Sequence, residues 1–205
     1  MKLSSTLQTL LEDYQDQPLA IGTLLERTGA EGFGILSGLL TVPMLIPLPI
    51  PLPGLSALMG IGTLLLGGQL AMGATQPWLP KKFTQVELSP EFSRGLLKNL
   101  NRALRPVEKF ACTRYVRVSH NLGLRRFLGF CMAWNALLMS LPLPIPLTNL
   151  LPAYSIETLV IGLLEADGIL MLIGFAMTAI TTVFFVSIAG TIWLLLIEVL
   201  KQLNF

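Results

Sequence analysis

The sequence predicts an all-α integral membrane protein. Two repeated proline-kinked helical hairpins, each re-entrant or a tight transmembrane pair, are joined by amphipathic helices and followed by a C-terminal transmembrane helix. Three observations carry this. Hydrophobic residues make up 53% of the 205-residue chain and charged residues only 13%, about half the share of an ordinary soluble domain, with a mean hydropathy of +0.68. A proline-alternating segment occurs twice. Residues 169–197 contain no charge at all.

The first 32 residues come first in order. Leu3, Leu7, Leu10, Leu11 and Tyr14 recur at helical spacing behind capping serines Ser4 and Ser5. Pro18 interrupts, and Leu19 to Arg27 reads as a second short helix. Glu12, Asp13, Asp16, Glu26 and Glu31 make this region too polar to span a bilayer or to serve as a signal peptide. It is read as amphipathic helices that lie at the interface or pack against the basic loop.

Residues 33–73 form the first repeat unit. At its centre, Pro47, Pro49, Pro51 and Pro53 alternate with leucine and isoleucine. Proline lacks a backbone donor and disfavours helix in the residue before it, so the centre is an extended kink. Phe33 to Ile46 gives about 21 Å of helix, short of the roughly 30 Å hydrocarbon core. The unit is too long for one crossing and barely long enough for two, hence the hairpin.

Residues 74–128 form a basic segment. Eleven of the fourteen Lys and Arg lie between Lys81 and Arg126, against three acids. Such asymmetry places the segment in the cytoplasm. Within it Arg94, Lys98, Arg102, Arg105 and Lys109 recur every three or four residues, a helical stripe suited to anionic lipid rather than to nucleic acid. Trp78, before Lys81 and Lys82, reads as an interfacial anchor. On the cytoplasmic side Cys112 and Cys131 are expected to be reduced, buried residues.

Residues 129–168 repeat the first unit at an offset of 95. Pro142 to Leu147 is identical to Pro47 to Leu52, and Pro142, Pro144 and Pro146 repeat the break. The same offset pairs Gly34 with Gly129, Met44 with Met139, Thr63 with Thr158, Gly67 with Gly162 and Gly73 with Gly168. Residues 169–200 then form the C-terminal helix, long enough for one tilted or kinked crossing.

Paired breaks at membrane depth are where transporters bind substrates. Asn149 and Ser56 stand beside the two breaks as ligand-binding candidates, and the alternative is a re-entrant loop with no ligand. Glu157, Glu165 and Asp167 are the acids of the second unit. A carboxyl group in lipid is a functional candidate because its charge is expensive there. Glu165 and Asp167 sit at a segment end, where an acidic cap explains them equally well. Glu157 is nearer mid-segment and the sharper candidate for proton coupling. Gln69 reads as a helix–helix contact more than as a ligand. His120 is the single histidine. No metal-site spacing, nucleotide loop or nucleophile motif is found, so no catalytic residue and no cofactor is assigned, and an enzyme is the least favoured reading.

Taken in order, Pro-Leu-Pro-Ile-Pro, Gly54-Leu55-Ser56, Gln69 and Trp78-Leu79-Pro80 resemble the ExoD family of bacterial exopolysaccharide-synthesis membrane proteins. So do Pro142 to Pro146, Asn149, Pro152 and Leu164 to Gly168. The likeness covers about residues 20–200. Ala166 stands where that family's pattern often has arginine, which removes a charged pair there. The resemblance implies a multi-pass protein of the bacterial inner membrane that supports exopolysaccharide production, by transporting or handling a polar or lipid-linked substrate at the breaks. The competing reading is a structural or regulatory component that holds anionic lipid or a partner protein. Expected partners are membrane lipids, the exopolysaccharide machinery and, through Gly60, Gly67 and Ala71, a second copy of the chain.

The orientation is testable. Single cysteines at Gln85 and Ser119 in a cysteine-free background should resist an impermeant maleimide added to intact cells and react after permeabilisation. Strong labelling of both from outside would reverse the topology.

Overall fold

The computed structural model describes residues 19–20, 31–45, 53–79, 87–88, 121–141 and 148–203. Five α-helices account for most of them: α1 (Gly32–Thr41), α2 (Pro53–Ala71), α3 (Leu122–Ser140), α4 (Leu150–Leu164) and α5 (Gly168–Leu203). The proline runs 47–51 and 142–146, and the stripe Arg94, Lys98, Arg102, Arg105 and Lys109, lie outside the described residues.

Local chemistry explains where these helices start and stop. After α1, Pro43 cannot supply the donor that would continue the ladder, and the chain tightens into a 3-10 turn over Val42–Leu45. Proline is well suited to a first helical position, and α2 begins at Pro53. It ends at Gly73, whose φ of +89° allows Gly73 N–H to bond Leu70 O and Ala74 N–H to bond Gln69 O. That pair of bonds closes the helix in a Schellman motif. Asn121 caps α3 by accepting from Gly123 N–H at 2.9 Å. At its other end Leu141 is extended, the conformation favoured before proline.

Between α4 and α5 the chain turns within three residues. Ala166 adopts φ +52°, and Asp167 N–H reaches back to Gly162 O. This is the outer bond of the closing motif seen at Gly73, built here on alanine, which pays the steric cost that glycine avoids. The Asp167 carboxylate then accepts from Ile169 N–H at 2.8 Å and caps α5.

One reading from spacing is corrected. Leu19 and Ala20 were expected to open a helix, but they form a two-residue strand (β1, Leu19–Ala20) antiparallel to β2 (Glu87–Leu88). The inter-strand pairing gives these backbone groups partners that periodicity along the chain does not reveal.

The helices pack in an alternating manner, with α2 antiparallel against α3 and α1 against α4, while α4 also carries α5. Phe33, Leu36, Leu66, Leu70, Leu128, Met132, Ile156 and Leu159 form the core. Where α2 meets α3 the backbones nearly touch. A Cβ on Gly129 would lie 2.4 Å from Ala71 N, and one on Gly67 would lie 2.6 Å from Ala133 N. At the other end of the seam, a Cβ on Gly60 would lie 3.0 Å from Ala136 O. Glycine costs about 1 kcal/mol relative to alanine in a helix interior. At these positions that penalty is offset by packing no larger residue allows.

The outward faces are also apolar. Leu58, Ile61 and Leu65 on α2, and Phe127, Phe130 and Leu137 on α3, are exposed. Unbroken over 36 residues, or about 54 Å, α5 is the one described helix long and apolar enough to cross a membrane. Its Ile192, Trp193, Leu194, Leu195 and Leu196 are all exposed.

The seam predicts opposite outcomes for two glycines of similar chemistry. Gly129→Ala should lower unfolding stability by about 1–3 kcal/mol through overpacking. Nothing lies within 4 Å of a Cβ on Gly68, so Gly68→Ala should be neutral or raise stability by up to about 1 kcal/mol. Equal effects in denaturant titrations of the two purified variants would contradict the seam.

Candidate functional site

The α1 face turned toward α4 carries Gly34, Gly38 and Thr41, at i, i+4 and i+7. Ser37 stands beside them, one turn before Thr41. A Cβ on Gly34 would meet Leu164 at 2.6 Å, and one on Gly38 would lie 3.4 Å from Val160. The two helices are therefore close at one end. Toward the other end Glu157 enters from α4, and small residues on α1 give its carboxyl group room.

Glu157 is 8% exposed, and among the described residues its one hydrogen-bond partner is Thr41, with Oγ1 2.5 Å from Oε1. The Thr41 hydroxyl also lies 2.8 Å from Ser37 O and 3.4 Å from Gly38 O. The other carboxyl oxygen, Oε2, sits over Gly38, 3.6 Å from where a Cβ would be. Both residues line a cavity of about 210 Å³ between α1 and α4, open on one side. Tyr154, Thr158, Leu45 and Leu164 form more of its wall. Apart from Glu157, Thr158 and Tyr154, this wall is almost wholly apolar. Fully buried Ser37 has no hydrogen-bond partner for Oγ among the described residues.

A second group of polar side chains joins α3 and α4 to α5. Asn135, fully buried, donates from Nδ2 to Thr178 Oγ1 and to Cys131 O, each at 2.8 Å. Trp134 Nε1 donates to Thr182 Oγ1 at 2.9 Å, and the hydroxyls of Ser155 and Thr181 lie 3.1 Å apart. All three contacts fall on one turn of α5. Among the described residues, Asn135 Oδ1 has no partner. These bonds hold α5 in one rotation, and the wall they make is polar but closed.

The residues singled out from sequence are thus dispersed. Asn149 is the half-buried N-cap residue of α4 and makes no side-chain cap bond. Ser56 is buried in the first turn of α2. Gln69 bonds the backbone of Trp78 in both directions, Nε2 to O at 2.9 Å and Oε1 from N–H at 2.7 Å. It secures the loop after α2 rather than a second helix, and Trp78 is exposed beside it. Glu165 ends α4, and Asp167 caps α5.

Thr41, Ser37 and Asn135 were not found by sequence reasoning. The spacing of Gly34, Gly38 and Thr41 was available as a signal, but its partner helix was not.

The chain matches the family described as "Exopolysaccharide synthesis, ExoD" over residues 3–187. It is 31% identical over 189 residues to Protein ExoD of Rhizobium meliloti (strain 1021), covering 89% of this chain and 75% of that protein. An uncharacterized protein of Synechocystis sp. is 30% identical over 161 residues, 75% of this chain and 74% of its own length. No solved structure matches the chain significantly.

The contact between Glu157 and Thr41 predicts non-additive stability. Thr41→Val leaves a buried carboxyl group without its partner and should cost about 1–3 kcal/mol. Adding Glu157→Leu should recover most of that loss, because removing both partners of a buried bond is nearly neutral. Additive losses in the double variant would show that the two side chains do not interact.

Proposed function

The chain belongs to the ExoD family, and on that footing we propose that it is a multi-pass inner-membrane protein that supports exopolysaccharide production by handling a polar or lipid-linked substrate in the cavity between α1 and α4. One observation carries the choice of site. In helices otherwise built of apolar and small residues, Glu157 places a carboxyl group at the wall of a cavity large enough for a small polar group. Buried polar groups without a structural necessity are retained where they act, because an uncompensated one costs several kcal/mol.

Membrane residence is supported by the distribution of apolar surface. Water would have to solvate the exposed leucines, isoleucines and phenylalanines of α2, α3 and α5, and contiguous apolar surface on this scale is unusual in a soluble monomer. In lipid it carries no penalty, and the hydroxyl and amide bonds between α5 and its neighbours are then the interactions that distinguish one helix packing from another. The short helices α1 and α4, of 10 and 15 residues, are too short to cross a bilayer of about 30 Å unaided. They fit a re-entrant arrangement enclosed by α2, α3 and α5.

Tyr154 of α4 and Leu45 of the 3-10 turn both line the cavity, so a ligand held there would set an apolar portion against them while its polar portion meets Glu157. In a strain lacking the gene, wild-type protein should restore exopolysaccharide output. Glu157→Leu and Gly38→Leu, which remove the carboxyl group and fill the cavity, should each reduce output at least several-fold at unchanged membrane abundance. Wild-type output from both variants would remove the cavity from the function.

A further inference from the structure

The oxygens around Thr41 set a hydrogen-counting problem. Its Oγ1 stands 2.8 Å from Ser37 O and 2.5 Å from Glu157 Oε1, and both are hydrogen-bonding distances for oxygen pairs. A threonine hydroxyl has one hydrogen to give. Ser37 O is a carbonyl and can only accept. If Thr41 donates to Glu157, its oxygen faces the Ser37 carbonyl oxygen at 2.8 Å with no hydrogen between them. If Thr41 donates to Ser37 O, the usual bond of a helical threonine to the carbonyl four residues back, the short contact with Glu157 needs a hydrogen from the carboxyl group.

We propose that Glu157 and Thr41 form a proton-binding site at the wall of the α1–α4 cavity, in which Glu157 carries the proton on Oε1 and donates it to Thr41 Oγ1, while Thr41 donates to Ser37 O. This arrangement satisfies both contacts with the hydrogens the three groups possess. One O–H bond forms on Oε1 as one breaks in a hydronium ion, which leaves as water, and the carboxylate charge is discharged.

Among the described residues, the surroundings of Glu157 favour a proton over an ion pair. α1 and the 3-10 turn contain no charged residue. On α3, Arg125 and Arg126 lie in the first turn, and Arg126 is packed against Gly73 at the end of α2. Buried Cys131 is the other titratable group of α3. Glu165 and Asp167 stand two turns or more beyond Glu157, and on α5 Glu198 and Lys201 lie in the last two turns. Tyr154, on the same face of α4, shares the cavity wall. None of these is a hydrogen-bond partner of Glu157, and Glu157 lines a cavity open on one side, through which a proton can be exchanged.

The proposal deepens the cavity reading above and is tested by a measurement independent of polysaccharide output, so either can fail alone. Full-length protein in lipid nanodiscs at neutral pH, in sodium-free buffer, should show the infrared carbonyl stretch of a protonated carboxylic acid. The band should shift on transfer to D₂O and vanish in Glu157→Gln. In Thr41→Val it should move to higher frequency, because the acid loses its acceptor, and this holds as a test if Glu157→Gln fails to fold. A missing band in the wild type, or one that survives in Glu157→Gln, would overturn the proposal. So would a band abolished by sodium chloride, which would replace the proton with an alkali cation.

Discussion

Backbone-to-backbone approach between helices is the constraint on which the rest of this structure depends. Gly67 and Gly129 meet across the α2–α3 seam at distances where a single methyl group would strike main-chain atoms. Between α1 and α4 the approach is to side chains instead: a Cβ on Gly34 would strike Leu164, and one on Gly38 would lie at ordinary contact distance from Val160. Helices this close gain dispersion contacts along their length. They also bring main-chain carbonyls and short hydroxyl side chains into range of the neighbouring helix. The contact between Thr41 and Glu157 lies on this same face of α1.

The same closeness determines where polar groups can be kept. Asn135, Ser155, Thr178 and Thr181 are all buried, and each bonds either a carbonyl on its own helix or a hydroxyl on a neighbour. Such bonds add modest stability, about 0.5–1.5 kcal/mol each. Their larger effect is on geometry, because a mis-rotated α5 would strand several of them at once. Glu157 differs from these groups. It is ionisable, it borders a cavity, and its contact crosses between helices whose remaining contacts are glycine and aliphatic. That difference, rather than burial alone, is why the functional reading centres on it.

The 95-residue offset in the sequence has a counterpart in the way the glycines are used. Gly34 meets α4, and its offset partner Gly129 meets α2. Thus α1 lies against α4 and α3 against α2. The two crossings nevertheless differ in chemistry. Gly62 and Ala136 occupy the offset positions of Glu157 and Thr41, so the carboxyl–hydroxyl contact occurs once. One crossing is sealed by glycine and alanine, and the other encloses a cavity.

Several features were legible in the residues alone. The extent of α5, the hydrophobic stretches that become α1, α2 and α4, the family resemblance and the list of acids worth following were all read from local pattern. Backbone hydrogen bonds within a helix join residues four apart, so composition and spacing over short windows determine them. The short strand at Leu19–Ala20 escaped because its partner is at Glu87–Leu88. Gln69 was assigned to helix packing because a buried-looking amide gives no hint that a backbone nine residues on will satisfy it. The site escaped for the same reason on a larger scale. Glu157 was visible as an acid in an apolar segment, but Thr41, 116 residues away, gains meaning only when glycines on α1 meet α4. Local pattern determined which segments are helical; tertiary packing decided which oxygens face one another, because hydrogen-bond distances between helices depend on how closely the backbones can approach.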